Sequence, residues 1–388
     1  MSDQIRLSLP ASGIRKIFDK AAQLEKAGRN ILHLEIGRPD FEMAPGLAES
    51  VKQSIDEGFI HYIANRGLME LREKIADEIK SETGRQFDPE SELIITTGAS
   101  EGLAMCCLAL LGPGDEMIVP EPAWPHYRAA ALMSGAEFVS LPTLLDNKFV
   151  IDPDMLRKHI TEKTKIVVLN TPSNPTGAVQ PVEVLKAISS LSEKYGFYIL
   201  ADEVYKHFVY EGEHVSMLSV CGNNERLVYL DSMSKSYGMT GWRIGYVAAT
   251  RELSDALNRV HQYLTVCGVS FAQKGACVLF THPERNSYLN RMKEEFKNRR
   301  QVWIEGCKDH PAIELGSPKG AFYLFPKIEY KNMPCEMLCD YLLEQHDVAT
   351  VPGTVFGKGY ERHVRISYGK DLETQREAVA RVITAFAE

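Results

Sequence analysis

Seven short apolar runs punctuate residues 93–249: LIITT (93–97), EMIVP (116–120), EFVSL (137–141), KIVVL (165–169), FYILA (197–201), RLVYL (226–230) and IGYVAA (244–249). Each is short enough for a buried strand and rich in Val, Ile, Tyr and Phe. Helical stretches lie between several of them, at 100–111, 124–134, 181–195 and 251–265. Alternating strands and helices predict an α/β domain whose mixed sheet is mainly parallel and flanked by helices. Such sheets take ligands beyond the carboxyl ends of their strands. Residues that directly follow each run are therefore the ones that carry chemistry.

The chain has 388 residues, room for about two to three domains at ~150 residues each. Amphipathic helices are expected over 12–28, 46–57 and 68–82, a long charged helix over 283–309, and a closing helix over 371–387. The tail carries fewer strands, GAFYLFP (320–326) and HVRISY (363–368). We expect an N-terminal arm over 1–45, a large domain over 46–285 and a smaller α+β domain over 286–388, which the N-terminal segment joins.

Lys plus Arg number 44 and Asp plus Glu 52, a formal charge of −8. An acidic chain with interspersed charges offers no global field for nucleic acid. Its longest uncharged apolar run, Leu103 to Leu111, falls short of the ~20 residues that cross a bilayer. MSDQIRLSLPASG at the start lacks the apolar core of a signal peptide. The eight cysteines form no C-x-x-C pair, which fits reduced thiols in a cytoplasmic protein without a membrane partner.

Four strand ends stand out. Gly98-Ala-Ser-Glu-Gly102 follows the first run and opens a helix. It admits three readings: a serine-capped turn, a phosphate site at a helix N-terminus, or the G-x-S-x-G elbow of a hydrolase with Ser100 as nucleophile. Ser232-Met-Ser-Lys235 fits S-x-x-K, but the S-D-N and K-T-G segments that accompany it in β-lactamases are missing. Asp202 directly follows FYILA; it caps the next turn, or it pairs with a cationic ring nitrogen or a metal. A metal would want more oxygen ligands than the neighbouring sequence offers. Asn174-Pro-Thr-Gly177 is a fixed turn past KIVVL that could bring an amide to the same crevice.

Taken together, these segments resemble the fold-type I pyridoxal phosphate enzymes, and within them the class I/II aminotransferases of aspartate and aromatic type. SMSKSYGMTGWRIGY (232–246) is similar to the family's Schiff-base lysine signature. HYIANRGLMELR (61–72), SNPTGAV (173–179), ADEVYKHFVY (201–210), GAFYLFP, VPGTVFG (351–357) and HVRISYG (363–369) match six further motifs in the family's order. The resemblance runs from about Leu34 to the C-terminus.

It implies a pyridoxal 5'-phosphate cofactor and the transfer of an amino group between an L-amino acid and a 2-oxo acid by a ping-pong cycle. Lys235 would bind the cofactor aldehyde and then act as general acid and base, a role that lowered basicity suits. Asp202 would keep the ring nitrogen protonated, Tyr205 and Asn174 would bond the phenolate oxygen, and Trp124 would stack on the ring. Ala99, Ser100, Ser232 and Arg243 would cradle the phosphate. Tyr62 would reach a phosphate across a homodimer boundary, so that the sites are shared. Arg365, assisted by the Gly37 backbone and by Asn174, would clamp the substrate carboxylate.

Two departures bear on specificity. Glu101 follows the cradle serine where some aspartate-specific relatives carry a lysine, and Arg38 stands where Gly-Glu-Pro is commoner. Arg38, Arg66 and His126 are the candidates for a second cation. The rival outcomes are a β-eliminating C–S lyase on the same cofactor, a serine hydrolase with Ser100, Asp202 and His363, and a non-enzymatic regulator of the same fold.

Overall fold

A computed structural model describes residue 9, residues 11–316 and residues 318–387. Residues 1–8 and Pro10 of the expected N-terminal arm lie outside them. The seven apolar runs form one seven-stranded sheet: β1 (Leu93–Thr96), β2 (Glu116–Glu121), β3 (Glu137–Pro142), β4 (Thr164–Asn170), β5 (Tyr198–Asp202), β6 (Leu227–Ser232) and β7 (Gly245–Ala248). Their order across the sheet is β1-β7-β6-β5-β4-β2-β3. β7 runs antiparallel to both its neighbours, while the remaining pairs are parallel. The sheet is mixed and mainly parallel, as the alternation of runs and helices predicts.

The central strands are buried on both faces because helices cover both, while the edge strand β3 is only partly buried. Side chains alternate across a strand. Val167 and Leu169 of β4, with Ile199 and Ala201 of β5, join one apolar cluster. Ile166, Val168 and Leu200 join the other. The first cluster includes apolar residues of α3 (Met69–Thr83) and α6 (Val182–Tyr195). The second includes those of α4 (Gly98–Leu110), α5 (Pro125–Ser134) and α7 (Arg251–Leu264). Local sequence sets the helix limits. Pro125 occupies the first turn of α5, where its missing N–H removes no helix bond. Gly84 and Gly196 end α3 and α6 at positive φ, which a residue without Cβ adopts freely.

The ends of the chain meet. Leu32–His33 pairs in parallel with Val348–Ala349. A three-stranded antiparallel sheet joins Tyr323–Leu324, Val364–Ser367 and Val351–Pro352. α1 (Gly13–Lys26) packs Ile17 and Ala21 against Leu343 and Ala349. The long helix α8 (Arg285–Gly306) reaches both regions: Arg285 at its start bonds Glu78 and Tyr237, and Arg299 bonds Asp40. α10 (Leu372–Ala387) closes the chain beside it. The longest described helix to escape the sequence reading is α9 (Cys335–His346), although Cys335, Leu338, Cys339, Leu342 and Leu343 form a buried stripe at helical spacing; the shorter helices Pro153–His159 and Ser270–Ala276 escaped it too.

The eight cysteines are free of disulfides. No described helix is long and apolar enough to cross a membrane. Leu169 is fully buried at the centre of the sheet. Leu169→Ala is expected to cost about 2–5 kcal/mol through lost packing and a residual cavity, read as a lower thermal midpoint; an unchanged midpoint would contradict the assignment of this core.

Candidate active site

The carboxyl ends of β4, β5 and β6, with the turn after β1, surround a cavity of 540 Å³. Gly37, Ala99, Ser100, Trp124, Asn174, Asp202, Tyr205, Ser232, Lys235, Arg243 and Arg365 all line it. One sequence candidate stays away. Tyr62 is 85% exposed on the surface of its own subunit.

At one end the chain builds a positive pocket. α4 begins at Gly98, with φ +73°, and a Cβ there would stand 2.3 Å from Arg243 Nη2. The arginine thus packs directly on the helix start, donating to Thr240 O at 3.0 Å and Thr97 O at 3.3 Å. A Cβ on Gly245 would lie 2.6 Å from Ala99 N, so β7 presses close to the same turn. Ser232 Oγ accepts from Ser234 N at 3.1 Å and stands 3.0 Å from Ile244 O. The first N–H groups of a helix have no partner within it. Together with the guanidinium they form a natural anion site.

At the centre lies Lys235, on the short helix Met233–Ser236. Its Nζ donates to Gly37 O at 2.7 Å. Burial, then the neighbouring Arg365 and Arg243 charges, lower its pKa to about 8, against the opposing field of Asp202. Asp202 is 2% exposed. Its carboxylate accepts from Tyr127 Oη at 2.6 Å and from Val204 N at 3.3 Å. Burial raises its pKa to about 6, although both hydrogen bonds favour the ionised form. Asn170 ties the strand ends together, donating to Asp202 O at 3.0 Å and accepting from Asn174 N at 2.9 Å.

Arg365 is buried between the rings of Tyr323 and Phe356, each 4.9 Å from its guanidinium carbon. It donates to Asn174 Oδ1 at 3.3 Å and to Glu35 O. Its Nε is buried without a partner. The Tyr205 and Tyr323 hydroxyls meet at 2.9 Å. Gly37 carries no side chain because a Cβ would fall 2.0 Å from Tyr323 Oη.

The second-cation candidates separate. Arg38 lines the cavity. Arg66 is bound to Ser254 and Asp255 and takes no part in the lining. Burial lowers the His126 pKa, which leaves the ring neutral at pH 7, and it stacks on Trp124 at 4.0 Å. Glu101 turns away from the cavity toward His261. The hydrolase triad is not assembled: His363 stacks on Phe325, both its ring nitrogens are buried without partners, and it does not line the cavity.

Sequence reasoning missed Tyr127, Tyr323 and Asn170. Tyr127 was visible as the last residue of WPHY, one helical turn beyond Trp124. It also missed Ile14, Arg15 and Phe18 of α1, which line the mouth.

Fold and site define an α/β enzyme built around a lysine of lowered basicity beside a buried carboxylate and an anion pocket. A family model described as aminotransferase class I and II matches residues 29–382. An aspartate aminotransferase of Pyrococcus horikoshii is 37% identical over 97% of this chain and 95% of its own. Aromatic-amino-acid aminotransferase 2 of Thermococcus litoralis is 34% identical over 98% and 97%. The structure of aspartate aminotransferase from Thermus thermophilus with maleate superposes with a TM-score of 0.93 at 33% identity, covering 99% of both chains. The chain belongs to the class I and II aminotransferase family. It is a pyridoxal-phosphate-dependent enzyme that moves an amino group between an amino acid and a 2-oxo acid.

Only a neutral amine attacks an aldehyde. A lysine with a pKa near 8 is protonated below that value and neutral above it. Uptake of pyridoxal phosphate by the cofactor-free enzyme should therefore accelerate as pH rises through about 8 and then level off. A stopped-flow midpoint near the ordinary lysine value of about 10.5 would contradict this.

Proposed function

We propose that the cavity residues divide the labour of transamination among four groups, Lys235, Asp202, Arg243 and Arg365. The observation that carries the reading is their convergence on one cavity of 540 Å³. The residues fit pyridoxal phosphate. Asp202 is a buried carboxylate that meets only neutral donors, and a protonated ring nitrogen would complete it. The Gly98–Arg243 pocket suits a phosphate dianion. When bound, the cofactor supplies a conjugated cationic ring that accepts electron density from the substrate Cα.

Lys235 Nζ would hold the cofactor covalently, and as a free amine it would carry the proton that leaves the substrate Cα. Asp202 holds the proton on the ring nitrogen, and Tyr127 and Val204 orient its oxygens. Burial keeps the Tyr205 phenol protonated, so it donates to the cofactor oxygen beside Asn174. Trp124 covers the ring. Ala99, Ser100, Ser232 and Arg243 bind the phosphate. Arg365, held between two rings with a spare N–H, clamps the substrate carboxylate with help from Asn174 and the Gly37 backbone.

Tyr62 acts from a partner subunit. Ile60, Tyr62, Tyr263 and Val266 are exposed apolar or aromatic side chains. Their two segments are joined by hydrogen bonds from Asn65 to Val266 and from Ser270 to Phe59. A surface of this composition suits a second copy of the chain. The pairing of Leu32–His33 with Val348–Ala349 supports a small domain made from 1–45 and 286–388, beside a large domain over 46–285. Eight unpaired cysteines support a cytoplasmic location. Beyond Arg365 the lining holds apolar Ile14 and Phe18 and the cations Arg15 and Arg38; this mixture suits both acidic and aromatic amino donors.

Mixing the holoenzyme with aspartate or phenylalanine, without an acceptor, should yield one 2-oxo acid per active site and no ammonia. Adding a 2-oxo acid should restore the starting absorbance; continuous ammonia release would overturn the reading. Arg365→Lys loses the bidentate geometry and should raise KM for the amino donor about 10- to 100-fold, as for a charged hydrogen bond of ~1.5–3 kcal/mol. An unchanged KM would remove Arg365 from the clamp.

A further inference from the structure

Glu101 stands in the first turn of α4, next to cradle residues Ala99 and Ser100. Its side chain is 8% exposed. One carboxylate oxygen accepts from Thr97 N at 2.5 Å, which ties the side chain back to the residue that precedes the helix. The other accepts from Thr265 Oγ1 at 2.6 Å and faces His261 Nδ1 at 2.8 Å. Burial works to raise the Glu101 pKa, but these hydrogen bonds outweigh it and the net shift is downward. A carboxylate placed here is an electrostatic liability. It stabilises the helix start while repelling any anion bound at the same N-terminus.

His261 answers that charge. It is fully buried. Its Nε2 lies 2.9 Å from the Asn65 carbonyl oxygen, which accepts only, so Nε2 carries a proton. Its Nδ1 faces the Glu101 carboxylate, so acceptors stand at both ring nitrogens.

We propose that His261 is a positioning residue for cofactor binding: it neutralises Glu101, so that the first turn of α4 caps itself with a carboxylate and still presents a positive end to the cofactor phosphate. The proposal rests on the reading of Ala99, Ser100 and Arg243 as the phosphate cradle. It also gives the Glu101 departure a purpose, since the acid that weakens a simple aspartate assignment becomes part of the cradle's support. The His261 ring bonds the loop that carries Tyr62 as well, through Asn65.

The test is the dissociation constant of pyridoxal phosphate, measured by dialysis of the holoenzyme and by its visible absorbance. His261→Gln leaves Glu101 charged and uncompensated, and should weaken the cofactor about tenfold or more, the scale of one unscreened charge at close range. Adding Glu101→Gln removes the charge and should restore affinity to within about threefold of wild type. A purely structural role for His261 predicts no such rescue. Glu101→Gln alone keeps the hydrogen bonds, because its amide can donate to a neutral His261, and should bind the cofactor as tightly as wild type or tighter. This arm stands even where His261→Gln fails to fold; a loss of about tenfold in it would overturn the proposal. So would wild-type affinity in His261→Gln, or a double variant as weak as the single. Arg243→Gln is the control: undiminished affinity there would sink the cradle reading itself rather than the role of His261.

Discussion

Lys235 carries its amine into a region where two guanidinium groups, Arg243 and Arg365, already stand. Burial and their repulsion lower its pKa to about 8, while the Asp202 carboxylate keeps the centre from becoming purely cationic. An amine so placed is a competent nucleophile near neutral pH without being far from its own protonation. On the proposed reading each arginine serves a second purpose, because the charges that tune the lysine would also hold an anion on either side of it. Removing either would thus change both binding and basicity.

The sheet makes this arrangement rigid. Parallel strands β4 and β5 end in register at Asn170 and Asp202, and β6 runs two residues further to Ser232; the groups beyond them differ by one strand each: the Asn174 turn, Asp202, and the Ser232–Lys235 turn. The reversed β7 returns the chain so that Arg243 lands on the start of α4. Arg365 and Gly37 come from the far ends of the sequence, brought over the sheet by the pairing of Leu32–His33 with Val348–Ala349. The site is a junction between a fixed floor and a roof built from both termini.

The floor was legible in the sequence and much of the roof was not. The apolar runs marked the strands, and residues just beyond them face the ligand crevice, so Asp202 directly after one run and Asn174 and Lys235 in the turns after two others could be named in advance. Helix α1 showed its amphipathic stripe, but nothing local says that Ile14, Arg15 and Phe18 border the cavity, since that depends on contacts more than 300 residues apart, such as Arg29 with Asp347. Glu101 read as a possible specificity signal because its position in the chain adjoins the cradle. Its side chain instead turns inward to His261, 160 residues on, a partner that no spacing rule reveals. Ser100 and His363 show the reverse failure, where a matching motif lacked the geometry that gives it meaning.

The central claim is that Lys235 is the residue that binds the cofactor. Borohydride reduction of the yellow holoenzyme, followed by peptide mapping, tests it directly. The account predicts a phosphopyridoxyl mass on the peptide that carries Lys235, with the yellow band lost on reduction and absent from Lys235→Ala. A label on any other lysine, or a protein that takes up no pyridoxal phosphate, would contradict it.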